Sequence, residues 1–200
     1  GMEDVKLFVN NNIIEYSANR ATIDTLKCVE HGIYDIDNNK IIESNILKYS
    51  KRTIAEKNWV LFNAADNTRK FIYKWNPITI CEKNENELYV INEIPTPRLF
   101  KQIRGSSNGV YIDDELWFLC HLMNYEKRRH YYHMFVVISK ESNELIKYTQ
   151  LFTFEKEIVE YSLGFVYQKK DDQFLIGYST NDNATKYLII GKDIINEMMI

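Results

Sequence analysis

The sequence is short of the residues on which most specialised scaffolds depend. Its three cysteines, Cys28, Cys81 and Cys120, are odd in number, far apart and in no Cys-x-x-Cys arrangement. That spacing argues against a disulfide framework and a thiolate zinc site, and fits a reducing, cytoplasmic setting. With 3 prolines and 7 glycines in 200 residues, no Pro- or Gly-rich linker divides the chain, so a single domain over residues 1–200 is expected. No apolar run approaches the roughly 18 residues that a membrane helix needs. No charged-then-apolar leader opens the sequence either, so neither a membrane protein nor a secreted precursor is expected. Positive charge is also in deficit: 25 Lys and Arg stand against 28 Asp and Glu, a formal net charge of −3. Sequence-independent nucleic-acid binding needs clustered cations, and the single basic run, Lys127-Arg128-Arg129-His130, is short and reads as a solvated loop.

What the chain has instead is aromatic and alternating. It carries 14 Tyr and 10 Phe, with 45% hydrophobic residues overall, enough to bury a core. Apolar residues recur at period two and almost nowhere at the helical period near 3.6. Strands are expected at Lys6 to Val9, Ile13 to Ser17, Trp59 to Asn63, Lys70 to Trp75, Leu88 to Ile91, Gly109 to Ile112, Leu116 to His121, Tyr131 to Ser139, Tyr161 to Gln168, Phe174 to Ser179 and Thr185 to Ile190. Polar turns separate them at Asn10-Asn11-Asn12, Ala65-Asp66-Asn67, Asp113-Asp114, Lys169 to Asp172 and Asn181-Asp182-Asn183. One short helix is expected, Lys192 to Met199. A unit of polar turn followed by apolar aromatic strand repeats at Asn12 to Ser17, Lys70 to Trp75, Glu115 to His121 and Gln173 to Ser179. The spacing suits one four-stranded propeller blade per copy, so the fold class is all-β, with four blades of a β-propeller visible. A β-sandwich also yields many short strands and stays open as the alternative.

Three polar segments each precede a repeated strand: Gly1 to Phe8, Glu56-Lys57-Asn58-Trp59, and Arg104-Gly105-Ser106-Ser107-Asn108-Gly109. The innermost strand of each blade lines a propeller's central channel, so equivalent positions should meet there. The last segment is Gly- and Ser-rich like a phosphate loop, but no Gly-Lys-Ser/Thr follows, and a tight turn presenting Arg104 is expected. Gly1 to Phe8 resembles the Gly-x-Glu-Asp-Pro-Arg-Leu/Ile signature of five-bladed propellers in the mannoside phosphorylase and furanosidase-like superfamily. The later motifs resemble a propeller domain found in, or fused to, predicted glycosyltransferases of bacteria and giant viruses. They stand as Glu56 to Trp59 with Tyr73 to Pro77, Arg104 to Ser107, His121, Tyr132 to Phe135, Val159 to Phe165 and Asn181 to Ala184. They keep their order and span nearly the whole chain.

The resemblance implies a carbohydrate-active propeller, glycosidase-like or glycosyltransferase-associated, with a glycan as partner and no cofactor. It also implies that a first blade, or a transferase domain, precedes Gly1. Glycosidic chemistry needs a carboxylic acid and usually a second carboxylate, and the motifs place Asp4 and Glu56 as catalytic candidates. Glu3, Lys6, Lys57, Asn58, Trp59, Arg104, His121, His133, Glu160 and Asp182 are the substrate-binding candidates. Lys6 stands where the signature has Arg, losing the planar fork; Val5 replaces Pro and Met134 replaces a basic residue. Each candidate has a plainer reading. Glu56 beside Lys57 is an ordinary surface pair, and Trp59, like most propeller aromatics, can pack between blades. His121, His130 and His133 have no acidic or thiolate partner at ligand spacing, so no metal is expected. A non-catalytic glycan-binding or protein-interaction propeller is the alternative function.

Overall fold

The computed structural model describes residues 1–10, 13–21, 27–50, 55–124 and 129–200. Asn11 and Asn12 of the first expected turn and repeat, and Lys127 and Arg128 of the basic run, lie outside the described residues. Four sheets, antiparallel but for one short strand, follow one another along the chain. The first holds β1 (Met2–Asn10), β2 (Ile13–Ala21), β3 (Lys27–Asp35) and β4 (Lys40–Ile46), paired in chain order. The second holds β5 (Lys48–Tyr49), β6 (Val60–Asn63), β7 (Arg69–Trp75), β8 (Ile78–Asn84) and β9 (Glu87–Ile94). Its order is β5-β9-β8-β7-β6, with β5 joining parallel to β9. In the third, β10 (Ile103–Gly105) and β11 (Val110–Ile112) both pair with β12 (Glu115–Asn124), followed by β13 (His130–Ser139) and β14 (Leu145–Tyr148). The fourth holds β15 (Glu160–Gln168), β16 (Gln173–Thr180) and β17 (Ala184–Gly191), and a short helix α1 (Lys192–Glu197) follows it.

The sheets are the blades of a four-bladed β-propeller arrangement, and the sandwich alternative falls. The repeat read from the sequence is the second strand of every blade: β2, β7, β12 and β16. Two of them, β7 and β12, stand out most because neighbouring blades bury them on both faces. Along β12, Leu116, Phe118 and Cys120 enter one core while Trp117 and Leu119 enter the next. A strand apolar on both faces reads as a continuous run rather than an alternation.

Three inter-blade cores result among the described residues. Leu61, Phe71 and Cys81 of the second blade meet Val29 of the first and Leu47 just beyond it. Val60, Phe62 and Ile72 meet Phe118, Met134 and Val136. Trp117, Phe135 and Val137 meet Phe165, Phe174 and Ile176. Each fully buried side chain of this size stabilises the fold by roughly 1.5–3 kcal/mol before entropy is charged against it.

At the centre, the first strands of the blades are pinned to one another. Asn108 accepts from the Leu61 N–H at 2.8 Å and donates to the Leu7 carbonyl at 3.1 Å. The Gly109 N–H donates to the Leu61 carbonyl at 2.7 Å. The turns form where Asn and Asp were clustered, because Asn67, Asp113, Asp172, Asn181 and Asp182 all take positive φ, which these side chains tolerate best after glycine. Cys28, Cys81 and Cys120 are all buried. Among the described residues, no helix is long and apolar enough to cross a membrane.

Candidate functional site

A polar cavity of about 240 Å³ opens at one end of the channel, and all four blades contribute to it. The first supplies Glu3 and Asp4, and the segment entering the second supplies Lys57 and Asn58. The third supplies Arg104, His121, Met123, Arg129 and Tyr131. The fourth blade and its approach supply Val159, Tyr161 and Asp182. Seven residues expected from the sequence therefore converge: Glu3, Asp4, Lys57, Asn58, Arg104, His121 and Asp182. They come together because each sits on, or just before, the innermost strand of its blade or at a strand end facing the channel.

Backbone geometry aims several of them. The pairing of β1 with β2 slips between Glu3 and Lys6, a bulge of the kind that redirects a side chain. Asp4 lies in it at φ 54°, and Asn58 and Asp182 share that left-handed region at 62° and 51°. Non-glycine residues held there cluster at functional sites. Asn19, at the end of β2, locks the bulge: its amide donates to Asp4 Oδ2 at 2.8 Å, while its carbonyl oxygen accepts from the Asn58 N–H at 3.3 Å. The Tyr161 hydroxyl donates to Asn58 Oδ1 at 3.5 Å. Sequence reasoning missed Asn19 and Tyr161. Tyr161 adjoins the flagged Glu160 and so carried a signal, whereas nothing in the residue pattern marked Asn19.

Burial sets the charge states. Lys6 lies beneath Asp4, 2% exposed, with Nζ donating to the Asp4 carbonyl at 3.5 Å. Burial lowers its pKa to about 8, opposed by the Asp4 carboxylate. Burial also holds His121 well below the usual imidazole range, helped by His133 and by Lys6, Arg104 and Lys57; its Nδ1 shares a 2.8 Å hydrogen bond with Ser106 Oγ. Tyr161 is raised by burial and then by Asp4. The cavity thus offers carboxylates from Glu3, Asp4 and Asp182, cations from Lys57, Arg104 and Arg129, and neutral donors and acceptors between them.

The remaining candidates lie off its wall. Glu56 is buried and accepts from the Tyr73 hydroxyl at 3.1 Å. Trp59 packs in the core between the first and second blades, edge-on to Tyr73 at 5.3 Å. Glu160 is buried and its carboxylate accepts backbone N–H groups of Phe154, Glu155 and Glu157 at 2.6, 2.7 and 2.8 Å, ordering the approach to the fourth blade. His133 is fully buried against Phe154, both ring nitrogens lacking a hydrogen-bond partner among the described residues, and burial pushes its pKa down to about 3. Gly105 and Gly109 of the Gly-Ser segment serve close packing. A Cβ on Gly105 would fall 2.4 Å from Val60 Cγ1, and one on Gly109 would fall 2.8 Å from Phe62 Cβ. No group of three or more His, Cys, Asp or Glu side chains among the described residues is placed to hold a metal.

No family model matches the chain, and no curated protein matches it in sequence. Solved structures do match in fold. A β-1,2-mannobiose phosphorylase from Listeria innocua, solved with β-1,2-mannobiose, superposes with a TM-score of 0.75 at 11% identity, covering 99% of this chain and 60% of that one. MPT-1, a GDP-Man-dependent mannosyltransferase from Leishmania mexicana, gives 0.66 at 13% identity, covering 95% and 68%. A hypothetical protein from Leishmania major gives 0.64 at 10% identity, covering 100% and 70%. The chain therefore spans about 60% of the length of the phosphorylase, and at these identities what the likeness establishes is the propeller fold.

Proposed function

We propose that this chain is a carbohydrate-active propeller module that binds a glycan in the four-blade cavity and acts on or transfers a glycosyl unit there, with Asp4 as the acid/base. The observation that carries this reading is the convergence of Asp4, Lys57, Asn58, Arg104, His121 and Asp182 from all four blades on one polar cavity. A sugar is a dense array of hydroxyls that both donate and accept, and such a wall can satisfy both capacities. Asp4, fixed by the bulge and by Asn19, protonates a departing glycosidic oxygen or takes the proton of an attacking hydroxyl. Arg104 and Lys57 suit a ligand that also carries an anionic group, such as phosphate or a nucleotide sugar. The mannose-related activities named for two of the fold neighbours make mannosides the first probes to try.

Glu56 favours a second reading. It was the other expected catalytic carboxylate, yet it sits behind the cavity wall against Tyr73, which suits a glycan-binding module without turnover. Asp4→Asn separates the two. The chain is offered β-mannosides with inorganic phosphate, and GDP-mannose with mannose acceptors, while binding is followed by calorimetry. An enzyme loses at least about 100-fold in turnover in Asp4→Asn and keeps measurable binding. A module that binds without turning over any of these is the second reading. If the wild type binds no glycan, the carbohydrate assignment is withdrawn.

A further inference from the structure

The third blade carries a row of three basic side chains from the polar cavity into the core. Along β12, Trp117 and Leu119 face the fourth blade, and His121, two residues on, faces the same way. Strand register puts Arg104 of β10 directly opposite His121 on one side and His133 of β13 directly opposite it on the other. Paired residues share a face of the sheet, so the three side chains lie in line. Arg104 and His121 line the cavity, and His133 is fully buried behind them.

His121 is the fixed point of that row. Its Nδ1 lies 2.8 Å from Ser106 Oγ, and Ser106 is itself fully buried, with its backbone N–H on the Leu119 carbonyl at 3.0 Å. Tyr161 meets the His121 ring edge-on at 5.1 Å, and Tyr131 lies beside it at 6.0 Å. A buried hydroxyl needs an acceptor for its proton, and among the described residues Ser106 Oγ has Nδ1 alone. The hydroxyl therefore donates, Nδ1 accepts, and the proton of the neutral imidazole sits on Nε2. Nε2 has no partner among the described residues and is open to the cavity. The charged form is disfavoured by burial first, then by His133, Lys6, Arg104 and Lys57. The other charged groups of the same cavity are mixed in sign, Glu3, Asp4 and Asp182 against Arg129.

We infer that His121 is a specificity-determining residue of the cavity, an uncharged and fixed Nε2–H donor for one hydroxyl of the bound sugar, and that Ser106 is the positioning residue that aims it. This rests on the carbohydrate reading given above. Along the row, Arg104 is always charged and serves an anionic part of a ligand, whereas a neutral imidazole offers one directed donor, which suits a hydroxyl oxygen. A cationic histidine in the same place would present two donors and turn to the cavity's carboxylates instead. Ser106 separates the two states: protonating Nδ1 makes the hydroxyl turn away, with no other acceptor among the described residues to receive its proton.

The test begins without any ligand. In isotope-labelled protein, long-range NMR correlations within the imidazole rings read the protonation of each nitrogen, and the set lost in His121→Gln assigns His121 among the 4 histidines. The wild type is expected to hold Nε2–H and a bare Nδ1 from about pH 5 to about pH 8, the range in which an ordinary histidine changes charge. Ser106→Ala removes one oxygen and leaves the backbone bond to Leu119 in place; it is expected to mix the two tautomers. Calorimetry then compares methyl β-mannoside with its monodeoxy analogues. Ser106→Ala should weaken binding of the parent sugar about 3- to 10-fold, the worth of one neutral hydrogen bond, and one analogue should lose as much on the wild type. The variant and that deoxygenation together should lose no more than either alone, because they remove the same contact. Titration of His121 within that pH range, a resting Nδ1–H form, or a tautomer that Ser106→Ala leaves undisturbed overturns the proposal on the protein alone. Additive losses with every analogue overturn it as well. A wild type that binds no mannoside fails the carbohydrate reading itself and takes the sugar contact with it, whatever the state of the ring.

Discussion

Lys6 shows what a single residue contributes at this site and what it costs. Its ammonium is buried below Asp4 with a pKa of about 8, against 10.5 for an ordinary lysine. Below pH 8 the group is charged in both the folded and unfolded chain, and its full desolvation cost falls on the fold. Between pH 8 and 10.5 the folded form gives up its proton first, the unfolded chain then binds more protons, and stability rises with pH. The gap corresponds to about 3 kcal/mol at about 1.36 kcal/mol per pH unit. Lys6→Met, which keeps the length and removes the charge, is therefore expected to unfold at higher urea than the wild type at pH 7, with the advantage shrinking toward pH 10. An advantage that does not change with pH would falsify the buried-charge account.

At the scale of the element, the inner strands approach so closely that glycine is required where β10 crosses β6. Gly105→Ala would set a methyl 2.4 Å from Val60 Cγ1 and 2.9 Å from the Asn58 carbonyl oxygen, and the second contact is backbone that cannot swing aside. A loss of roughly 1–3 kcal/mol is expected in urea unfolding, with a disturbed Asn58 and hence weaker ligand binding. Gly164→Ala, where nothing lies within 4 Å, serves as the control and should change stability little; equal losses at both positions would remove the close-approach argument.

The same packing explains which elements could be read from the sequence. β7 and β12 were the most legible because neighbours on both sides bury them, as in Leu116 to Cys120. The outer strands were legible only in part: Leu88 to Ile91 and Thr185 to Ile190 were read, but β4 is exposed or half-buried along its whole length, so Lys40–Ile46 has no apolar rhythm, and β3, β5, β8, β10 and β14 were missed as well. Of the residues that line the cavity, Asp4, Lys57 and Arg104 stand in polar segments ahead of the repeated strands, and His121 and Asp182 in motifs that carry the family resemblance. Asn19 was not legible, because its role comes from a bulge in the partner strand that leaves no mark on its own neighbourhood.

For the whole molecule, the arrangement of cores predicts an order of opening. The second and third blades are packed on both faces, whereas the first and fourth each have one apolar core and one open face. The first blade depends further on polar ties to the second. Arg69 on β7 forms an ion pair with Glu15 on β2, and His31 Nε2 lies 3.1 Å from the same carboxylate. Burial alone would raise the Glu15 pKa, but hydrogen bonds from His31 and Arg69 hold it down at about 2. That stabilisation is complete above the ordinary value of 4.5 and is lost as pH falls through about 2. With partial solvent screening it is worth at most about 1–2 kcal/mol. Local opening follows the density of buried contacts, so native-state hydrogen exchange of the 200-residue chain should be graded. Amides of β7, β8, β12 and β13 should exchange only with global unfolding, and those of β1 to β4 and β15 to β17 earlier. Lowering the pH toward 2 should hasten exchange in the first blade, as the ties of Glu15 to Arg69 and His31 are lost. Uniform exchange across all four sheets would mean that the end blades are as well supported as the middle ones, and that the open faces are energetically satisfied as they stand.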